Sequence, residues 1–364
     1  MGVLNSSRKV MKDFIEKSYS MGQLHGEMKK INDPRRQKLI ETVHLTKAEE
    51  NKIDTLFTAN YGKKIKYDWH RLYQSFTGKF DENYFPEYLF SSVLEPKLNP
   101  MDYRYVLDDK LLLPLFCVGV EHVRTPRTYY SVCDGICFDE EKNIVDLKSD
   151  NFNGGVTEAI IKPVQDTSSG VGVEKIKGAE SIKNNLQEKA KKKGTYIVQE
   201  CIAQNEQLAV LYAGAVNTFR VITYLWNGEV FHVPLALRIG QGGSYLDNAH
   251  AGGMFIGVND LGELNDEGFT EFGKRYKEHP DTHAVFKGYK LSFVPELIKT
   301  AKKLHLNAPQ LGIISWDLTV DQNGEFVLIE ANTRGQSVWF PQMANGTGAF
   351  GRNTEEILRY IAQK

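Results

Sequence analysis

Hydrophobic and polar positions alternate along the chain with two different periods, and the change from one to the other falls near residue 100. In residues 8–95 apolar residues recur every three or four positions, as Leu24, Met28 and Ile31 do, which is typical of amphipathic helices. From about residue 105, short apolar and β-branched runs are separated by glycine-containing turns, which predicts strands. We therefore expect a mainly helical N-terminal lobe followed by an α+β fold.

The same patterns predict the individual elements. Thr46 and Glu49 form a capping-box signature at the start of a helix. Asn227-Gly228 and Asn323-Gly324 each separate two apolar runs, and such dipeptides favour tight hairpin turns. Aromatic residues crowd positions 67–90, where they pack a small helical lobe or, alternatively, line a ligand groove. Strands are expected at about 129–138, 143–148, 158–163, 196–200, 220–226 and 229–238, and helices at about 179–193 (with Gly194 as its cap), 267–278, 295–305 and 354–362.

The second of these hairpins carries three oxygen-bearing side chains on one face. A two-residue turn at Asn323-Gly324 places Asp317 opposite Glu330, whereas a four-residue loop places Asp317 opposite Leu328. In both registers Asp317 and Glu330 share a face, because cross-strand partners point the same way and side chains alternate with a period of two. Asn332 lies two residues beyond Glu330 and therefore joins that face.

This cluster of two carboxylates and an amide repels itself unless a cation neutralises it. Oxygen ligands suit a hard cation, and a small number of protein ligands leaves room for phosphate oxygens and water, as Mg²⁺ prefers. The alternative is a set of polar groups on a solvated sheet face. Asp317, Glu330 and Asn332 are therefore candidate metal ligands.

A second candidate site is a lysine followed by a loop rich in glycine and serine. Lys162 lies near the end of an apolar strand, where an unpaired lysine is unusual. Glycines in the loop at 165–172 would give backbone N–H groups close access to phosphate oxygens. The candidate phosphate-binding residues of this loop are Ser168, Ser169, Gly170 and Gly172.

Two arginines and a glycine-rich stretch follow. Arg220 opens an apolar strand, while Arg238 ends the run after the Asn227-Gly228 turn. Glycines at 240–257 surround Asp247 and suggest a tight loop near a ligand, or else a flexible surface loop. The chain contains no GxxxxGK[ST] phosphate-binding motif.

Composition and charge exclude several classes of protein. The 364 residues are 41% hydrophobic and 25% charged with a net charge of −1, which is ordinary for a globular enzyme and gives no general attraction to nucleic acid. Residues 1–100 carry 17 Lys and Arg against 13 Asp and Glu, which is typical of a solvated helical surface; a basic patch for a membrane or an anionic partner is the alternative. With no signal-peptide pattern and no apolar run near the ~18 residues that span a bilayer, we expect a cytoplasmic protein without an integral membrane segment. The four cysteines lack zinc-site spacing.

Taken in order along the chain, these residues resemble the ATP-grasp superfamily. The segments that carry the resemblance are Asp109-Lys110, Ile161-Lys162-Pro163 with its loop, Gln199-Glu200-Cys-Ile202, Arg220, Trp316-Asp317 and Glu330-Ala-Asn332. Further segments are similar to the sugar-transfer-associated ATP-grasp family, which is related to α-L-glutamate ligases. They are Lys66-Tyr-Asp-Trp-His-Arg-Leu-Tyr, Gly78-Lys-Phe-Asp with Tyr84-Phe-Pro, and Asn248-Ala-His-Ala-Gly-Gly.

The resemblance implies a fold in which two α/β lobes with antiparallel sheets clasp ATP. It covers about residues 60–362 and implies three parts. These are a helical N-terminal lobe at 1–100, an N-terminal ATP-grasp subdomain with the lid loop at 101–205, and a C-terminal subdomain with the metal-binding hairpin at 206–364.

It also implies roles for single residues. Lys110 and Lys162 would contact the α- and β-phosphates, and the 165–172 loop would close over them. Asp317 would bind one Mg²⁺, Glu330 would bridge two, and Asn332 would complete the second; Mn²⁺ is a substitute. The other residues with implied roles are Glu200 and Ile202 for adenine, Glu206 or Gln207 for ribose, Arg220 for the transferred phosphoryl group and Arg334 for a substrate carboxylate.

The activity implied is an ATP-dependent carboxylate–amine ligase that forms an acylphosphate and releases ADP. Its partners would be a small carboxylate and an amine, one of which could be sugar-linked, in surface-polysaccharide assembly. A kinase acting on a small-molecule hydroxyl is the first alternative, because the same nucleotide site can phosphorylate an alcohol. A scaffold that only binds ATP is the second.

Overall fold

The structure is a computed structural model and describes residues 2–103, 108–148, 155–165 and 171–363. Helices fill the first hundred residues, as predicted. They are α1 (Gly2–Ile31), α2 (Pro34–Glu41), α3 (Lys47–Tyr61), α4 (Asp68–Thr77) and α5 (Glu87–Leu89), which continues through a π-helical turn (Phe90–Leu94) into α6 (Glu95–Leu98). The capping box of α3 is present, with Thr46 and Glu49 each bonding the other's backbone.

Two sheets follow, and the smaller has five antiparallel strands in the order β3-β2-β6-β4-β5. Its strands are β2 (Thr128–Cys133), β3 (Ile136–Asp139), β4 (Glu158–Pro163), β5 (Glu174–Lys177) and β6 (Thr195–Gln199), with α8 (Ala179–Ala190) packed against them. The expected strand at 143–148 is wrong, because only an isolated bridge between Ile144 and Phe138 forms there. Helix α8 ends at Ala190 with Lys191 as its cap, and Gly194, with φ of 111°, turns the chain into β6 instead of capping the helix.

The larger sheet has nine strands in the order β1-β14-β13-β7-β9-β10-β11-β12, with β8 paired to β7. The strands are β1 (Val123–Arg124), β7 (Thr218–Trp226), β8 (Glu229–His232), β9 (Leu235–Ile239), β10 (Met254–Val258), β11 (Leu264–Phe269), β12 (Arg275–Tyr276), β13 (Ile313–Val320) and β14 (Phe326–Asn332). Both predicted hairpins are confirmed. Asn227 and Gly228 adopt φ of 49° and 81°, as a tight hairpin turn requires.

One helix prediction in this region is wrong. Residues 267–278 form the end of β11, a turn and β12, instead of a helix. Gly268 pairs with Ile256 and Tyr276, and the turn closes as Gly273 N donates to the carbonyl oxygen of Thr270 at 3.0 Å. Two glycines in twelve residues weaken a helix and suit this hairpin.

Helices pack on both faces of the larger sheet, although they leave part of one face open. The remaining helices are α7 (Leu113–Phe116), α9 (Glu206–Leu211), α10 (Val294–Leu306), α11 (Trp339–Asn345) and α12 (Thr354–Ala362), of which α10 and α12 confirm two predictions. Trp316 and Leu318 pack with α10 on one face. Ile222 and Tyr224 on the other face pack with aromatic residues of the N-terminal helices, so most of the predicted aromatic cluster is core. The uncovered part of this second face, carrying Asp317, opens toward the smaller sheet.

Within the described residues, no helix combines the length and the apolar character that a bilayer crossing needs.

Candidate active site

The hairpin formed by β13 and β14 brings the predicted oxygen ligands together. Asp317 lies directly opposite Glu330, and Ser315 lies opposite Asn332, with Asp317, Glu330 and Asn332 all lining one cleft. Cross-strand partners in such a pair have Cβ atoms about 5 Å apart. The predicted shared face is therefore present, although neither predicted turn length is correct.

A β-bulge explains this pairing. Nearer the turn the register is shifted by one residue, with Leu318 opposite Leu328, so that Ile329 is an extra residue in β14. A loop of three residues connects the strands, since Asp321 N donates to the carbonyl oxygen of Glu325 at 2.9 Å. Without the bulge, that loop would place Ile329 opposite Asp317 and turn Glu330 to the other face. The bulge restores the shared face.

Two arginines hold the Asp317 carboxylate. Arg220 Nε lies 2.7 Å from Asp317 Oδ1, and Arg238 Nη2 lies 2.9 Å from Asp317 Oδ2. Both arginines come from strands on the same side of Asp317, because β7 pairs with β13 and β9 pairs with β7. Burial lowers the pKa of Arg220, and the adjacent Asp317 charge opposes that shift. Asp317 is thus oriented by two fixed positive charges.

Arg238 also connects Asp317 to the glycine-rich stretch. Its Nε donates to Thr218 Oγ1 at 2.9 Å, and the Thr218 hydroxyl donates to Asp247. Burial raises the pKa of Asp247, while Arg238 opposes the shift. The stretch at 240–253 is therefore anchored beside the cleft, which favours the ligand-loop interpretation over a free surface loop. Arg238 had no predicted role, although a charged residue inside an apolar strand, here β9, is the same signal that marked Lys162.

The two predicted lysines lie beside Glu330. Lys110 Nζ is 2.7 Å from Glu330 Oε1, and the Lys110 backbone N–H donates to Val164 just after β4. Lys162 on β4 is 7% exposed, and burial, with the nearby Lys110 charge, lowers its pKa to about 8. The smaller sheet thus delivers the Lys162 ammonium group to the hairpin, and a segment hydrogen-bonded to the end of its β4 delivers that of Lys110.

The segment after β6 forms the junction between the two sheets. Arg124 contacts the Glu200 carboxylate and also places its Nη2 2.9 Å from Asp321 Oδ2 at the hairpin turn. The backbone N–H of Arg127 donates to the same Glu200 oxygen at 3.0 Å. Ile202 lines the cleft. The Glu200 side chain is thus engaged in joining the sheets, and Arg124 is a junction residue that the sequence did not reveal.

Other predicted residues lie elsewhere. Glu206 and Gln207 begin α9, and neither lines the cleft; the Gln207 amide oxygen accepts hydrogen bonds from Ser292. The structure therefore does not bring the expected ribose ligands to the site. Gly172 lies close to the end of β4, where an added Cβ would be 3.1 Å from Pro163 Cγ. Ser168, Ser169 and Gly170 lie outside the described residues.

The cleft extends past the hairpin to the helical lobe. Arg334, two residues after Asn332, places its Nε 3.1 Å from Asp108 Oδ2. Burial raises the pKa of Asp108 to about 6, although Arg334 opposes the shift. The cleft has a volume of about 1070 Å³, at the upper end for small-molecule sites. At this end it is lined by Tyr19, Gln23 and Lys30 of α1, His250, Ser337 and Trp339.

The residues present fit Mg²⁺ together with a polyphosphate. The side chains around the cleft centre carry five positive and four negative charges, so a nucleotide triphosphate needs further cations. These are Arg220, Arg238, Lys110, Lys162 and Arg334 against Asp317, Glu330, Asp247 and Asp108. Among the described residues no group of three or more His, Cys, Asp or Glu could hold a metal alone. Two carboxylates and an amide leave coordination positions for phosphate oxygens, as Mg²⁺ prefers.

Comparison with solved structures found distant similarities. D-alanyl-alanine synthetase A from Vibrio cholerae is 15% identical, with 70% of this chain and 64% of that chain covered and a TM-score of 0.40. The N5-carboxyaminoimidazole synthetase from Staphylococcus aureus, complexed with ADP, is 10% identical, with coverage of 65% and 48% and a TM-score of 0.38. The L-amino acid ligase from Bacillus licheniformis is 10% identical, with 71% of this chain and 48% of that chain covered and a TM-score of 0.39. The matched part of this chain thus spans less than two thirds of the length of each of these three proteins. A search of curated proteins found no match.

The two sheets that meet at a cleft of lysines and paired carboxylates define an ATP-grasp fold with a helical N-terminal region. The profile of the family described as sugar-transfer associated ATP-grasp matches residues 89–357. The chain therefore belongs to the sugar-transfer-associated ATP-grasp family. ATP-grasp enzymes in general use ATP and Mg²⁺.

Proposed function

We propose that this protein is an ATP-dependent carboxylate–amine ligase that activates its acid as an acylphosphate and releases ADP. The observation that carries the proposal is the pairing of Asp317 with Glu330 across the hairpin, with Lys110 Nζ 2.7 Å from Glu330 and the buried Lys162 nearby. This arrangement supports a site for a metal-bound polyphosphate at the junction of the two sheets. The three parts 1–100, 101–205 and 206–364 remain our proposed division.

In this proposal the nucleotide occupies the junction side of the cleft. Adenine would lie against Ile202 and the backbone near Glu200, and the phosphates would point toward Lys110 and Lys162. Ser168, Ser169 and Gly170, which lie outside the described residues, remain proposed phosphate-binding residues. Mg²⁺ held by Asp317, Glu330 and Asn332 would neutralise phosphate charge and orient the triphosphate; two ions are expected.

The chemistry follows from the charges beside the hairpin. A carboxylate is a poor electrophile, and phosphoryl transfer from ATP gives it a good leaving group that an amine can displace. Arg220, fixed against Asp317, would stabilise charge on the transferred phosphoryl group. Arg334 at the far side of the hairpin would bind the substrate carboxylate through its guanidinium group. Exclusion of water would protect the acylphosphate from hydrolysis.

The second half of the cleft supports an acceptor larger than a free amine. The helical lobe adds Tyr19, Gln23 and Lys30 to its wall, beside His250 and Trp339. Aromatic and amide side chains of this kind suit a polar ring compound. The family name motivates a sugar-linked substrate, which we place in surface-polysaccharide assembly and in the cytoplasm, where ATP is available.

A screen of ADP release over acids crossed with amines, with product masses recorded, tests this proposal. We expect ADP formation that needs both partners, and a product mass equal to acid plus amine minus water. AMP and pyrophosphate as products would exclude the acylphosphate route. A stable phosphorylated compound formed without any amine would instead establish a kinase.

A further inference from the structure

Helix α1 has an apolar face that the rest of the described chain leaves uncovered. Val10, Met11, Phe14, Ile15 and Met21 are each between 46% and 66% exposed. They recur at i, i+1, i+4, i+5 and i+11, which places them on one side of the helix. Of the 17 large hydrophobic side chains exposed in the described part of the chain, six lie on α1 within fifteen residues. Isolated exposed hydrophobic residues are ordinary, whereas such a concentration marks an interaction surface.

Contacts on the other side of α1 fix the direction of this face. Lys12 Nζ lies 2.7 Å from Asp102 Oδ2, and the Tyr19 hydroxyl donates to Glu95 Oε2 at 3.5 Å. Tyr19 and Gln23 also line the cleft. The helix therefore rests on the protein through its polar side, and its apolar side points away from the fold.

Of the charged residues at 10–17, a lysine lies nearest this face. Lys17 is exposed beside it, whereas Lys12 turns to the other side of the helix, where it pairs with Asp102. At 100° per residue, Lys17 lies along the border of the face between Phe14 and Met21, whereas Asp13 and Glu16 lie toward the opposite side. An apolar face bordered by lysine, with acidic residues turned away, complements an anionic surface.

A bilayer surface fits this face better than a second copy of the chain does. A stable interface between two proteins buries roughly 800 Å² on each partner and draws on about 20–30 residues. Six large side chains on one helix offer much less. An amphipathic helix on a bilayer needs no matching protein surface, because its apolar side chains enter the boundary between headgroups and acyl chains.

We propose that α1 docks this protein on the surface of a membrane that contains anionic lipids, through Val10, Met11, Phe14, Ile15 and Met21. Lys17, at the border of this face, would lie at the level of the headgroups. Because the opposite side of the same helix lines the cleft, docking holds the cleft within roughly one helix diameter, ~10 Å, of the bilayer surface.

Co-sedimentation of the full chain with vesicles tests this proposal. Vesicles of phosphatidylcholine with phosphatidylglycerol should bind it at least tenfold more tightly than phosphatidylcholine alone, and 0.5 M salt should weaken binding severalfold. Phe14→Glu should lower the affinity at least tenfold, and Lys17→Glu severalfold. Leu261→Glu is the matched control, because Leu261 is 62% exposed outside α1, and it should bind like the wild type.

Equal binding by Phe14→Glu and wild type, or no binding to either vesicle, would overturn the proposal. So would a concentration-dependent dimer that Phe14→Glu abolishes while vesicles remain unbound, since α1 would then be an interface between copies. Nucleotide binding by Phe14→Glu should match that of the wild type, because no residue of the phosphate site is changed. The docking proposal and the ligase proposal can therefore fail separately.

Discussion

We expect Lys162 to make nucleotide binding depend on pH. Burial and the neighbouring Lys110 lower its pKa to about 8, below the 10.5 of a free lysine, so the unliganded site holds a partly neutral amine above pH 8. A bound polyphosphate favours the charged form, and ATP binding then takes up a proton. We expect the dissociation constant for ATP to rise by up to roughly tenfold per pH unit above pH 8, as titration calorimetry between pH 7 and 9.5 would measure.

Substitutions of Lys162 separate its charge from its titration. Lys162→Arg keeps a positive charge throughout this range, so it should flatten the pH dependence. Lys162→Met should lower ATP affinity by about 2 kcal/mol, roughly thirtyfold, at pH 7. A Lys162→Arg variant with an unchanged pH profile would assign the titration to another group. The free energy of unfolding changes in the opposite direction. Folding lowers the pKa of Lys162, so the unfolded chain binds more protons between pH 8 and 10.5. The unliganded protein therefore gains stability from Lys162 as the pH rises through that range.

At the level of elements, the helical lobe holds the loop that follows β14. Glu95 of α6 is fully buried and accepts hydrogen bonds from the backbone N–H groups of Gly335 at 3.1 Å and Gln336 at 2.8 Å. Arg334 immediately precedes this loop. The lobe therefore positions the chain between β14 and the part of the cleft that α1 lines.

Glu95→Gln tests this anchoring. The amide leaves a buried N–H group poorly paired, so the free energy of unfolding should fall by about 1–3 kcal/mol in urea titrations. The KM for the acid should rise while ATP affinity stays near that of the wild type, because the phosphate site lies on other elements. Glu296→Gln on the surface of α10 is the control and should change neither quantity. If the two variants behaved alike, Glu95 would have no anchoring role.

Sequence patterns predicted elements well wherever local signals were strong. Asn323-Gly324 between two apolar strands predicted the hairpin and the shared face of Asp317 and Glu330, yet the bulge at Ile329 depends on packing that no local pattern contains. A charged residue in an apolar strand identified Lys162. The helix expected at 267–278 failed because pairing with β10 outweighed local preference. Tyr19 and Gln23 reach the cleft only through the packing of α1, so no sequence signal could have revealed them.

At the level of the whole molecule, three layers meet at the cleft. The smaller sheet supplies Lys162, and the segment bonded to its β4 supplies Lys110. The larger sheet supplies Asp317, Glu330 and two arginines, and the helical lobe lines the part of the cleft beyond the hairpin. Arg124 joins Glu200 beside one sheet to Asp321 on the other. The five positive and four negative side chains at this junction nearly cancel. They therefore offset little of the charge of ATP, and we expect ATP to bind there together with Mg²⁺.

The most direct test of this account is Mg²⁺-dependent binding of a non-hydrolysable ATP analogue, measured by calorimetry with and without the metal. We predict that Mg²⁺ strengthens binding to the wild type and to Glu325→Gln, which changes an exposed carboxylate at the turn of the same hairpin. In Glu330→Gln most of this enhancement should disappear, at a cost of about 1.5–3 kcal/mol. Equal enhancement by Mg²⁺ in Glu330→Gln and the wild type would contradict the assignment of the hairpin as the metal site.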